Sequence, residues 1–99
     1  MNMLYMVKRS PFMSHDLDQV LIVANAGSHI VLYQDGVMAA AESPVTKEWL
    51  DKANLKGIKV HALLEDLSAR GIKEPMDGIE LIDYNGWVDL VESFQTVSW

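Results

Sequence analysis

Ninety-nine residues suffice for one domain spanning 1–99 and leave no room for a second. A net charge of −6, with eight Lys and Arg scattered so that only Lys8 and Arg9 adjoin, speaks against direct nucleic-acid binding, which needs clustered cations to displace counterions. The absence of cysteine excludes a disulfide scaffold and a thiolate nucleophile, and denies the chain any persulfide of its own.

The first apolar run, Met3 to Val7, reads as a short strand ended by Lys8-Arg9-Ser10-Pro11, because proline cannot donate to a ladder and holds Ser10 extended. Ser14 is placed to cap a helix running to Ala26, with Asp16 and Asp18 in the first turn where the dipole favours acids. Leu17, Val20, Leu21 and Ala24 recur at helical spacing, and Gly27 stands where a left-handed cap would follow. Ile22 and Val23 widen the apolar face beyond one stripe. That breadth predicts a helix packed on its own sheet and on a neighbouring subunit, through Leu17, Val20, Leu21, Val23 and Ala24.

His29-Ile30-Val31-Leu32-Tyr33 has no polar side chain between Ile30 and Tyr33, the pattern of a strand covered on both faces. Gln34-Asp35-Gly36 supplies a turn, and Val37 to Ala41 is expected to continue as a helix whose face also meets a neighbour. Ser43-Pro44 opens a further helix through Trp49, Leu50 and Ala53, closed by Asn54 and Gly57. Ile58 to Leu63 is a third strand, partly alternating and so expected nearer the sheet's edge. Leu64 to Gly71 follows as a short helix with Arg70 in its last turn, and Pro75 marks a loop over Glu74 to Gly78. Ile79 to Ile82 makes a fourth strand, and Asp83 caps a helix over Tyr84 to Ser93. The tail, Gln95 to Trp99, has strand propensity and ends on an aromatic that calls for docking.

Strands feeding helices define an α/β domain with a mainly parallel sheet of four to five strands. Hydrophobic residues make up 49% of the chain and mean hydropathy is +0.06. A domain this small buries only about two thirds of its unfolded surface, so the surplus points to apolar area covered by another subunit. The run Val20 to Ala24 is too short and too far in for a secretory leader, and no stretch nears the roughly 18 apolar residues of a membrane span. A cytoplasmic, membrane-free protein is expected.

In a parallel sheet, chemistry collects at the carboxyl ends of the strands. Those ends carry Lys8, Arg9 and Ser10, then Gln34, Asp35 and Gly36, then Glu65 and Asp66, then Asp83 and Tyr84. An Arg9/Asp35/Glu65 edge would suit a small polar ligand or a partner's reactive group; the plainer alternative is turn formers, caps and surface ion pairs. Catalytic motifs are missing. His15, His29 and His61 are far apart and lack metal-ligand spacing, so no metal site is expected. No serine sits in a G-x-S-x-G elbow, and no glycine loop offers a phosphate or cofactor cradle. Glu65 and Asp66 diverge by about 100° on a helix and make a poor acid/base pair. The residues themselves leave three readings: an interaction subunit, a small-molecule-binding module acting as a homodimer, and, least favoured, an enzyme using Asp35 or Glu65 as base.

Arg9-Ser10-Pro11 after the first strand, Leu32-Tyr33-Gln34-Asp35-Gly36-Val37, and Ala62-Leu63-Leu64-Glu65-Asp66-Leu67-Ser68-Ala69-Arg70-Gly71 together resemble the TusB/DsrH family. Ile82-Asp83-Tyr84 and the closing Thr96-Val97-Ser98-Trp99 resemble it too, so the likeness spans nearly the whole chain. It implies a three-layer α/β/α sandwich and a subunit of a sulfur-relay complex, a heterohexamer with sister DsrE-like and DsrF-like chains (TusD-like and TusC-like). In that family the complex passes persulfide sulfur toward 2-thiouridine at the tRNA wobble position, or serves dissimilatory sulfur metabolism. Some DsrH-type members carry a cysteine after the first strand. This chain has none, and so fits the non-catalytic TusB type: it can shape or tune a partner's thiol but cannot hold the sulfur.

Overall fold

A computed structural model describes residues 2–99, and its strands fall on the apolar runs. Strand β1 (Met3–Val7) leads through a turn at 11–13 into helix α1 (Asp16–Val23). Strand β2 (His29–Leu32) runs through a 3₁₀ segment (Gln34–Ala40) into α2 (Pro44–Leu55). Strand β3 (Lys59–Leu63) passes directly into α3 (Leu64–Ala69), and β4 (Ile79–Ile82), α4 (Tyr84–Ser93) and β5 (Gln95–Ser98) complete the chain.

The sheet is five-stranded and wholly parallel, ordered β4-β3-β2-β1-β5. Connectivity follows from the right-handedness of parallel crossovers. Steps from β1 to β4 all move the same way, so α1 and α2 fall on one face. The step from β4 back past β1 to β5 reverses direction and carries α4 across the other face. The outcome is the expected α/β/α sandwich, with unequal outer layers.

Successive strand residues face opposite layers. Tyr5, Val7, Ile30, Leu32 and Val60 meet Leu17, Val20, Trp49 and Leu50 in the larger core. Leu4, Val31, Leu63 and Ile82 form a thinner core beneath Trp87, Leu90 and Phe94 of the α4 layer. No residue of α4 is fully buried. Each aliphatic side chain enclosed in the larger core contributes roughly 1.5–3 kcal/mol, so that side holds most of the folding free energy.

Four local expectations are corrected. Helix α1 stops at Val23 instead of reaching Ala26, because Ala24 is extended and the Lys56 ammonium donates to the carbonyls of Leu21 and Ile22 at 2.7 and 3.1 Å. A cation supplied by another element thus satisfies the helix end. Residues 37–40 belong to the 3₁₀ segment, Ala41 is extended beyond it, and Val37, Ala39 and Ala40 lie in the chain's own core, where they cannot meet a neighbour. Its path is tight: a Cβ on Gly36 would stand 2.2 Å from the Val7 carbonyl oxygen. Strand β3 is interior, not near the edge, because the polar break in its pattern, His61, is itself buried. Histidines 29 and 61, remote in sequence, meet in space.

A fifth expectation, Ser14 as the cap of α1, is corrected: the amide and hydroxyl of Ser14 both donate to the Ser10 carbonyl, closing a turn that delays the helix to Asp16, and His15 precedes it with no side-chain cap. The caps at Ser43 and Asp83 match the sequence. Ser43 accepts from the Thr46 amide at 3.1 Å, and Asp83 from the Gly86 amide at 2.8 Å. Trp99 docks as its size required: its amide donates to the Met6 carbonyl, its indole N–H to Gln19 Oε1 at 3.1 Å, and its ring meets Tyr5 edge-on.

Candidate functional site

The carboxyl ends of β1, β2 and β3 bring together most of the polar residues singled out in the sequence. Gln34 leaves β2 in a left-handed conformation, φ 50°, and its amide donates to Asp66 Oδ2 at 2.6 Å. Asp35 accepts from Arg70 Nε and pairs with its Nη2, both at 3.0 Å. The same guanidinium reaches back to the Asp66 carbonyl at 3.3 Å and lies 3.8 Å from its Oδ1. Two carboxylates, one arginine and one strained backbone amide therefore close on each other. Arg70 is the member that sequence reasoning placed only as a helix-terminal residue; its position four after Asp66 was the available signal.

Arg9, Asp35 and Glu65 do not form one cluster. Arg9 Nε sits 2.9 Å from Asp16 Oδ2, tying the segment after β1 to the start of α1. Glu65 Oε2 accepts from the Tyr84 amide at 3.3 Å and joins α3 to the start of α4. Ser10 Oγ accepts from the Phe12 amide, and Gly36 is wedged against β1, its amide donating to the Lys8 carbonyl. Lys8 is exposed and makes no ion pair among the described residues. Much of this edge is internally matched, so it braces the strand ends more than it presents open ligand groups.

Of the residues expected to face a neighbour, Leu17, Val20, Leu21 and Ala24 are buried in the chain's own core. Val23 is exposed, as is Ile22 beside it. The nearby cleft between the 11–14 segment, α1 and α2 holds about 240 Å³ and is lined by Ser14, Asp18, Glu48 and Lys52 among others. Ligand sites commonly span about 300–1,000 Å³.

The histidine pair lies on the α4 face. His29 Nδ1 and His61 Nε2 are 2.8 Å apart, with Phe94 tilted over the His29 ring. His61 is 2% exposed. Burial pushes its pKa down to about 4, against the opposing pull of Glu80 and with the help of His29 and Lys59. Burial also lowers His29, assisted by the Lys59 charge. Both rings are neutral at pH 7, one donating to the other. Glu80 is engaged by Lys59 at 2.9 Å and stands 3.9 Å from His61 Nδ1, beyond hydrogen-bond reach. No group of three or more metal-ligating side chains occurs among the described residues. Strand register held the signal for this pair: His29 lies beside Lys59, which puts it diagonal to His61 on the same face.

No helix among the described residues is long and apolar enough to cross a membrane. The family model for DsrH like proteins matches residues 9–97. Protein TusB of Photorhabdus laumondii is 34% identical over 99 residues, covering 98% of this chain and 100% of that one. Protein TusB of Escherichia coli K12 is 38% identical over 89 residues, 89% of this chain and 90% of its own. The crystal structure of the ychN protein from E. coli covers 100% of both chains with a TM-score of 0.79 at 19% identity, a likeness of fold. The solution NMR structure of protein Tm0979 from Thermotoga maritima covers 92% of each chain, with a TM-score of 0.66 and 30% identity. With a family match from Arg9 to Val97 and relatives above 30% identity along that length, this chain belongs to the DsrH-like family.

Proposed function

We propose that this protein is a non-catalytic subunit of a cytoplasmic sulfurtransferase complex that relays persulfide sulfur, the role implied by its TusB-type relatives. Its partners are sister DsrE-like and DsrF-like chains, and the sulfur is destined for tRNA wobble 2-thiouridine or related sulfur metabolism. One observation carries the reading: a chain matching the family almost end to end contains no cysteine. Persulfide relay requires a thiolate to attack and to carry the cargo, so the sulfur resides on a partner. The acidic balance, −6, speaks against this subunit gripping the RNA itself.

The strand-end edge supports a positioning role. Asp35, Asp66 and Arg70 hold one another, and Gly36 fixes the exit of β2 against β1. Lys8 and Arg9 then stand at the carboxyl end of β1, beside the β1/β5 boundary where the strand order reverses and doubly wound sheets open their crevice. A partner thiol brought to these cations has its thiolate favoured. Co-expression with the sister chains tests the role: stoichiometric co-purification is expected, and a chain that never associates refutes it. Replacing Lys8 and Arg9 with Gln raises the pKa of the partner's reactive thiol in the assembled complex. An unchanged thiol pKa and transfer rate would remove the tuning role.

A further inference from the structure

The charge of this chain is divided unevenly. Up to Lys73 the eight basic residues are balanced by eight acidic ones, whereas the last 26 residues hold six acids and no Lys or Arg. The net −6 therefore falls after Lys73: Glu74 and Asp77 lie in the loop before β4, Glu80 pairs with Lys59, Asp83 caps α4, and Asp89 and Glu92 stand on α4 itself. On that acidic segment, α4 exposes Tyr84, Val88 and Val91 at 52%, 54% and 42%. Their i, i+4, i+7 spacing makes one stripe along the helix, adjoining the inward Trp87, while Asp89 and Glu92 occupy the neighbouring flank. A parallel sheet requires both faces covered. Here the α4 side has a single helix with no fully buried residue, and the buried Trp87 indole N–H has no partner among the described residues.

From this we infer that the α4 stripe is a docking surface for a partner polypeptide that offers an apolar groove bordered by Lys and Arg. Charge complementarity selects the occupant. A second copy packed symmetrically through α4 would set Asp89 and Glu92 near their own counterparts, and like charges across a contact disfavour it. Nucleic acid and anionic lipid are disfavoured by the same acids. The α1/α2 layer differs in charge and in pattern: Lys47, Lys52 and Lys56 alternate there with Asp18, Glu48 and Asp51, and its exposed Ile22, Val23, Val45 and Leu55 sit at helix ends, with Phe12 and Met13 in the preceding turn, and form no stripe along one helix. Naming the partner a sister relay subunit rests on the function proposed above; the basic rim is read from this chain alone.

The chain's lack of cysteine gives a direct test. Val88→Cys introduces a single thiol, which is labelled with an environment-sensitive dye and mixed with the purified sister subunits. A blue shift on mixing is expected, with association weakened at least about tenfold by Val91→Glu and by the double reversal Asp89→Lys/Glu92→Lys. Ile22→Glu leaves association unchanged, and matching circular dichroism of all variants shows that the fold persists. Sister subunits that bind by sedimentation without a dye shift, and equally well to Val91→Glu, refute the α4 surface and leave the relay role standing. Sister subunits that do not bind the wild-type chain at all refute the relay role and the occupant named with it. A dye shift on self-dilution in their absence, from a dimer through α4, overturns the choice of a basic partner.

Discussion

His61 makes stability depend on pH in a window where surface carboxylates contribute little. Its pKa is about 4 in the folded chain and 6.5 as the free side chain. Between those values the unfolded chain binds a proton that the folded chain refuses, so stability rises with pH across the window. The contribution is full above about pH 6.5, is lost progressively on acidification, and levels off below about pH 4. At about 1.4 kcal/mol per pKa unit the loss amounts to about 3 kcal/mol, a large share of the 5–15 kcal/mol typical of a small domain. His29, lowered for the same reason, adds in the same direction. Urea unfolding at pH 7, 6, 5 and 4.5, for wild type and His61→Leu, measures the difference directly. Leucine carries no titrating group and is apolar like Val31, its partner in the β2–β3 register. The wild-type curve is expected to fall more steeply than that of the variant. Parallel curves between pH 7 and 5 would refute the buried neutral pair.

Three further predictions rest on single contacts. Gly36→Ala drives a methyl into the Val7 carbonyl and is expected to cost about 2–4 kcal/mol, read as a lowered midpoint in thermal unfolding. Ser43→Ala removes the cap on the Thr46 amide and costs about 1 kcal/mol by urea unfolding, with no effect on assembly. Asp35→Asn leaves sulfur transfer by the reconstituted complex unchanged within twofold while loosening Arg70, because Asp35 braces the edge and performs no proton transfer; a loss of about a hundredfold would mark it as a catalyst.

The order of elements was legible because each apolar run carries its own punctuation. Ser43-Pro44 and Asp83 act through contacts within four residues, and the structure reproduces them. What escaped were interactions between distant segments. The end of α1 is decided by Lys56, more than thirty residues away, and no local cap foretells it. The breadth of the Ser14–Ala26 face overstated its availability: Leu17, Val20, Leu21 and Ala24 all serve the core beneath α1. The partly alternating pattern of β3 suggested an edge because a polar residue inside a strand usually meets water; His61 instead meets His29. At the candidate edge the residues were found but their pairing was not. The rule that parallel strands gather their carboxyl ends on one edge linked Arg9 to the strand-end acids, whereas the fold gives Arg9 to Asp16 and Arg70 to Asp35.

Native mass spectrometry of the chain purified with its sister subunits, after loading with a sulfane-sulfur donor, tests the central claim most directly. The account predicts a defined assembly in which the mass of an added sulfur rides on a partner chain and this chain's mass is unchanged. Sulfur retained on this polypeptide, or a chain that flies alone while the others assemble and load without it, would contradict the account.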